Sequence, residues 1–272
     1  MDFGIKNRLS RIFSPKTGRT VMLAVDHGYF QGPTTGLRDM ENIIPLIPHA
    51  DCLFVTRGTL RNSIDPRTDT AFCLRVSGGP SILGELSNED ITTSMEEALR
   101  LNASGVGMSI FVGAKNEDRT ISNLGRLINE AQRYGMPVLA ITAVGKEMGR
   151  DARYIGLACR IAAEMGAQFV KTYYCDDFHK VAEGCPVPIV IAGGKKLPEM
   201  EALQMTENAI KAGASGVDMG RNIFQSDSPA GMIKAVRAIV HRGTSAAEAF
   251  DMYQKSRKAP VAEVADARME KV

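Results

Sequence analysis

Ala167-Gln168-Phe169-Val170-Lys171-Thr172-Tyr173-Tyr174 is the stretch whose reading decides the fold. Gly166 closes the helical pattern before it, and the apolar run that follows reads as a buried strand. Lys171 stands in the C-terminal half of that strand. A buried lysine stays neutral, pairs with an anion, or reacts, because its ammonium is strongly hydrated in water. Desolvation disfavours the charged form and leaves a nucleophilic amine near neutral pH. The alternative is a lysine at the strand mouth whose ammonium reaches solvent. This segment alone leaves both readings open.

Working outward, seven more runs read as buried strands: 21–25, 52–56, 72–77, 106–112, 138–143, 189–192 and 217–219, with 167–173 as the sixth of eight. None alternates cleanly between polar and apolar, as parallel strands covered on both faces do not. Helical stripes lie between them, such as Ile121, Leu124, Leu127, Ile128 and Ala131, or Met232, Ile233, Val236, Ile239 and Val240. Helix-to-strand junctions repeat a glycine device at Gly135, Gly166 and Gly213. The strands start roughly 20 to 33 residues apart, the repeat length of (β/α) units. The expected fold is therefore α/β, a single-domain (β/α)8 TIM barrel with an N-terminal helix; a doubly wound sheet is the runner-up. Residues 1–20 form the leader, 21–252 the barrel and 253–272 a tail or extra helix. In the leader, Ile5, Leu9, Ile12 and Phe13 fall at helical spacing among Lys6, Arg8 and Arg11. That pattern suits a helix plugging the barrel floor or packing on a neighbour.

Composition narrows the function. A net charge of +2 with no basic tract points away from nucleic acid. No run of 18 apolar residues suggests a membrane span, and the start lacks the pattern of a secretory signal. Five scattered cysteines without a Cys-x-x-Cys pair read as reduced packing residues of a cytoplasmic protein. Four separated histidines offer no zinc-type spacing, so no metal is expected.

In such a barrel the chemistry gathers at the C-terminal strand ends. Asp26 and His27 end the first strand, Thr56-Arg57 the second, and Ser77-Gly78-Gly79 the third. Thr142 to Lys146 end the fifth, Lys171 and Tyr173 the sixth, Gly193-Gly194-Lys195-Lys196 the seventh and Gly220-Arg221-Asn222 the eighth. Gly193 and Gly194 let backbone amides approach a ligand, and Gly220-Arg221 adds amides and a guanidinium fork, a pairing that suits phosphate. No nucleotide motif competes with it. Asp26 and His27 are either a structural pair, with the Asp holding a neighbouring Lys or Arg, or chemistry: Asp26 opposite Lys171 stabilising an iminium and shuttling protons, His27 serving as acid or base. Cys175 is a rival nucleophile, although Asp176 and Asp177 beside it would raise its pKa. His49, His179 and His241 read as surface or satisfied histidines.

Four segments carry a resemblance: 25–33 (Val-Asp-His-Gly-Tyr-Phe-Gln-Gly-Pro), 170–174 (Val-Lys-Thr-Tyr-Tyr), 185–196 (ending Ile-Ala-Gly-Gly-Lys-Lys) and 213–225 (with Val-Asp-Met-Gly-Arg-Asn). Together they resemble the LsrF branch of the DhnA-type class I aldolases, over about residues 4 to 253. The resemblance implies late catabolism of the quorum signal autoinducer-2. In that reaction 3-hydroxy-5-phosphonooxypentane-2,4-dione gives its acetyl group to coenzyme A, leaving acetyl-CoA and dihydroxyacetone phosphate. It implies Lys171 as the Schiff-base lysine, His27 as its partner, and Gly193, Gly194, Gly220 and Arg221 around the phosphate. It implies no cofactor, coenzyme A as co-substrate, and ring-shaped homo-oligomers, often decamers. The sugar-phosphate aldolases of the family are similar but place a tyrosine proton donor at the end of the fifth strand. Here 138–146 contains no tyrosine and leaves Lys146 unassigned on the rim. The competing readings are an aldolase or transaldolase on another phosphosugar, and a non-catalytic phosphate-binding barrel in which Lys171 only contacts an anion.

Overall fold

Eight runs of β-branched and apolar residues, each buried on both faces, assemble as parallel strands. A computed structural model of the protein describes residues 2–144 and 149–258. In chain order the strands are β1 (Thr20–Ala24), β2 (Cys52–Thr56), β3 (Ala71–Arg75), β4 (Ser77–Gly78), β5 (Asp90–Ile91), β6 (Gly105–Val112), β7 (Val138–Val144), β8 (Phe169–Tyr173), β9 (Ile189–Ala192) and β10 (Gly216–Met219). All but β4 and β5 close into one barrel, ordered β1-β10-β9-β8-β7-β6-β3-β2. Register places Lys171 beside Ile141 of β7 and Val190 of β9, and Asp218 beside Met22 of β1 and Ala192 of β9.

Strand periodicity divides the barrel interior into layers. The lower layers are apolar and include Met22, Cys52, Phe54, Cys73, Leu139, Phe169 and Val190. The N-terminal helix, Phe3–Ile12, plugs this floor: Ile12 is wholly buried in the same cluster and Phe13 meets Phe169 edge-on, ring centroids 5.3 Å apart. The leader therefore packs on its own barrel. Outside, the helices Glu117–Arg133 and Pro229–Arg242 bury the stripes read from the sequence. Gly135, Gly166 and Gly213 all have positive φ where helices give way to strands, as the left-handed helix end requires.

Two boundaries differ from expectation. The third strand stops at Arg75, because Ser77 and Gly78 leave the barrel to pair antiparallel with Ile91 and Asp90. The loop so tethered carries Glu89 into the barrel mouth. At the other end the helix Ala246–Lys258 runs across the division drawn after residue 252, and Tyr253 is buried against Phe250. Residues 259–272 of the expected tail lie outside the described residues. Among the described residues no helix is long and apolar enough to cross a membrane.

Candidate active site

The upper interior layer is polar, and its charges are paired. β8 aims Lys171 inward, where Nζ lies 2.8 Å from Asp218 Oδ2 of β10 and 5.3 Å from the ring centre of Phe54. Asp218 is fully buried, and neither of its oxygens has another hydrogen-bond partner among the described residues. Burial pushes its carboxyl up while Lys171 pulls it back. An ion pair this deep is weakly stabilising in itself, but removing one partner strands the other charge.

His27 follows the end of β1. Burial holds its pKa down to about 4, with Lys171, Arg221 and Arg75 acting in the same sense and Asp26 against them. Its imidazole is thus neutral through the physiological range. Nδ1 is buried without a hydrogen bond among the described residues, 3.8 Å from Asp26 Oδ1, and the ring stands edge-on to Phe224 at 5.7 Å. A Cβ on Gly220 would come within 2.5 Å of His27 Cε1 and 2.6 Å of the Ala24 carbonyl. Only glycine lets the β10 end pass beneath this imidazole.

Asp26 does not take the place expected for it opposite the lysine. It is buried and faces Arg75, with Nη1 3.5 Å from Oδ2, and Asp218 is the carboxylate on Lys171. Arg75 is the hub of a buried network. Its Nη2 donates to both Glu89 oxygens at 2.8 and 2.9 Å, to Ser109 Oγ at 2.7 Å and to the Tyr29 hydroxyl. Nε donates to the Ser77 carbonyl at 3.1 Å, and Tyr29 Oη donates to Glu89 at 2.5 Å. Burial raises the Tyr29 phenol against the pull of Arg75, so this hydroxyl stays protonated. The network fixes the floor beside Asp26, with the one guanidinium of Arg75 held between two buried carboxylates.

Above this layer a cavity of about 640 Å³ opens at the C-terminal strand ends. Asp26, His27, Lys171, Arg75, Glu89 and Arg221 share its wall, and Ile141 and Ala143 of β7 give it an apolar side. Arg221 lines the cavity, and its buried Nε has no hydrogen-bond partner among the described residues. Gly193, Gly194 and Gly220 are not part of that wall but flank Ala192 and Arg221, which are. Gly194 has φ +67°, and fully buried Asn222 pins the loop: Nδ2 donates to the Gly193 carbonyl at 2.6 Å and Oδ1 accepts from Leu197 N at 2.7 Å.

Other expectations resolve differently. Cys175 is buried away from the cavity, and burial, with Asp151, Asp176 and Asp177, pushes its thiol up to about 11. It is not poised as a nucleophile. Lys195 is exposed, whereas Lys196 is occupied by the Leu197 carbonyl and Glu199. Lys146 lies outside the described residues. The sequence places Asn222 on the rim without a role and gives no site role to Asp218, Arg75, Glu89 or Tyr29. The signal for Asp218 and Arg75 is the one that marks Lys171: a charge at an inward position of an apolar strand.

The aldolase family model "DeoC/LacD family aldolase" matches residues 20–226. The 3-hydroxy-5-phosphonooxypentane-2,4-dione thiolase of Photorhabdus laumondii is 58% identical over 255 residues, which is 93% of this chain and 88% of that protein. The thiolase of the same name from Escherichia coli (strain K12) is 57% identical over 255 residues, with the same coverage of 93% and 88%. Among solved structures, an archaeal fructose-1,6-bisphosphate aldolase with its catalytic Lys covalently bound to the carbinolamine intermediate superposes with a TM-score of 0.79. It is 28% identical, over 87% of this chain and 99% of that one.

Proposed function

The chain belongs to the DeoC/LacD family of aldolases, and on that footing we propose that it is a Schiff-base thiolase acting on 3-hydroxy-5-phosphonooxypentane-2,4-dione. The observation that carries the reading is Lys171: an inward amine on a barrel strand, in a cavity shared with a neutral imidazole and the Arg221 guanidinium. The phosphate sits by Arg221 and the Gly193-Gly194 loop and places the adjacent ketone at Lys171. Nζ attacks that carbonyl and water leaves, giving an iminium. The thiol of coenzyme A then adds to the acetyl carbonyl, and its proton passes to His27. Collapse breaks the C–C bond, and its electron pair moves into the iminium to form an enamine. His27 returns a proton to the enamine carbon, and hydrolysis releases dihydroxyacetone phosphate. Asp26 steadies the site from its place between Arg75 and His27.

Ile141 and Ala143 hold the inward positions at the end of β7, where a sugar-phosphate aldolase of this kind needs a phenol. That favours acyl transfer over cleavage of another phosphosugar. The reading extends to the breakdown of autoinducer-2 in the cytoplasm, which the free, buried cysteines suit, and to a ring-shaped homo-oligomer such as a decamer. The test is to supply the phosphorylated dione with and without coenzyme A. Acetyl-CoA and dihydroxyacetone phosphate in equal amounts are expected. Acetate formed at the same rate either way would make the protein a hydrolase.

A further inference from the structure

An ammonium has no lone pair, so Lys171 must lose a proton before it can attack a carbonyl. The group placed to take it is Asp218, whose Oδ2 stands 2.8 Å from Nζ. Asp218 is fully buried on β10 and hydrogen-bonds to nothing else among the described residues. Asp26 and Arg75 are the other charged groups that bear on it, the thiols of Cys52 and Cys73 lie in the apolar layer nearby, and Arg75 is saturated by its own partners. Burial raises the Asp218 carboxyl, and at 2.8 Å with no other partner among the described residues its Oδ2 is placed to receive the Nζ proton.

We infer that Asp218 is the proton carrier of Schiff-base formation, taking a proton from Lys171 and handing it to the departing water. This deepens the proposed function and rests on it. The ammonium proton passes to Oδ2, leaving Lys171 as the free amine and Asp218 as the acid. The amine adds to the ketone, and its remaining proton exchange gives a neutral carbinolamine. Asp218 then protonates the carbinolamine hydroxyl and the C–O bond breaks. Water leaves, and the nitrogen lone pair closes the C=N bond. The product is an iminium cation facing the restored carboxylate, so charge is the same before and after.

The experiment is borohydride capture of dihydroxyacetone phosphate by Asp218→Asn, which keeps shape but cannot accept the proton. The capture rate at its high-pH plateau is expected to fall about 10²–10³-fold with little change in ligand affinity. Its pH midpoint is expected to move to lower pH, since Arg75 stays and the opposing carboxylate is gone. A plateau rate within about two-fold of wild type, at an unchanged midpoint, would overturn the inference. A second measurement does not need that variant to fold. In Lys171→Met with ¹³C-labelled aspartate, infrared spectra should show a protonated carboxyl at neutral pH that the wild type lacks; its absence would count against Asp218. If wild type itself captures nothing at Lys171, the proposed function fails. If wild type captures and Asp218→Asn matches it, only the proton role does.

Discussion

His27 and Arg221 both stand on the cavity wall, and the roles proposed for them, proton carrier and phosphate donor, make separate predictions. Burial holds His27 at about 4, so it is a competent base above that pH and protonates only below it. The acid limb of kcat/KM due to this group should therefore fall near pH 4, not near the ordinary histidine value of about 6.5. His27→Ala should abolish that limb and lower kcat about 10²–10⁴-fold, with substrate affinity little changed. Cys175→Ala should leave turnover intact, since that thiol is neither ionised nor in the cavity. In the proposed site the Arg221 guanidinium on the cavity wall donates to the phosphate, and a charge-assisted hydrogen bond is worth about 1.5–3 kcal/mol. Arg221→Ala should lower kcat/KM roughly ten- to a hundred-fold for the phosphorylated dione and barely affect the unphosphorylated one. An equal loss for both would mean that Arg221 supports the rim without reading phosphate.

At the scale of elements, β10 and its loop are the demanding part of the barrel. Within five residues, 218–222, this segment supplies the partner of Lys171 at Asp218, a gap for His27 at Gly220, the proposed anion donor at Arg221, and in Asn222 a clamp on the neighbouring loop. Gly220→Ala should displace the imidazole and cut kcat strongly, because the new Cβ meets a backbone carbonyl as well as the ring. The elements themselves were legible: apolar runs, glycine helix ends and amphipathic stripes are local patterns, and each of the eight strands falls where its run lies. Lys171 was legible for the same reason. Its pairing with Asp218 was not, because the two lie 47 positions apart in the chain and meet only across the closed barrel. Glu89 was hidden more deeply. It sits in an irregular crossover between β4 and β5 that has no periodicity, and only tertiary folding turns it toward Arg75.

Taken whole, the molecule separates stability from chemistry along the barrel axis, as barrels commonly do. The lower end is held by the Ile12 and Phe13 plug and by an ionic clamp at Asp51. Asp51 accepts from Val21 N at 2.7 Å, Arg237 at 2.6 Å and His241 at 2.7 Å, tying β1 and β2 to the helix Pro229–Arg242. Burial opposes its ionisation, but these donors hold its carboxyl below the usual range. A depressed folded pKa means that the stabilisation is complete above the unfolded value of about 3.9 and is lost as pH falls through the folded one. Asp51→Asn should therefore be destabilised relative to wild type at pH 7, by about 1–3 kcal/mol in urea unfolding, with the gap closing toward pH 3. The upper end carries the proposed reaction, and all of that proposal depends on one covalent bond. The direct measurement is the site of borohydride attachment: wild type, a phosphorylated ketone and borohydride, followed by peptide mass mapping. The account predicts one adduct, on Lys171, absent from Lys171→Ala although that variant remains folded. An adduct on Lys195 or Lys196, or full activity in Lys171→Ala, would contradict it.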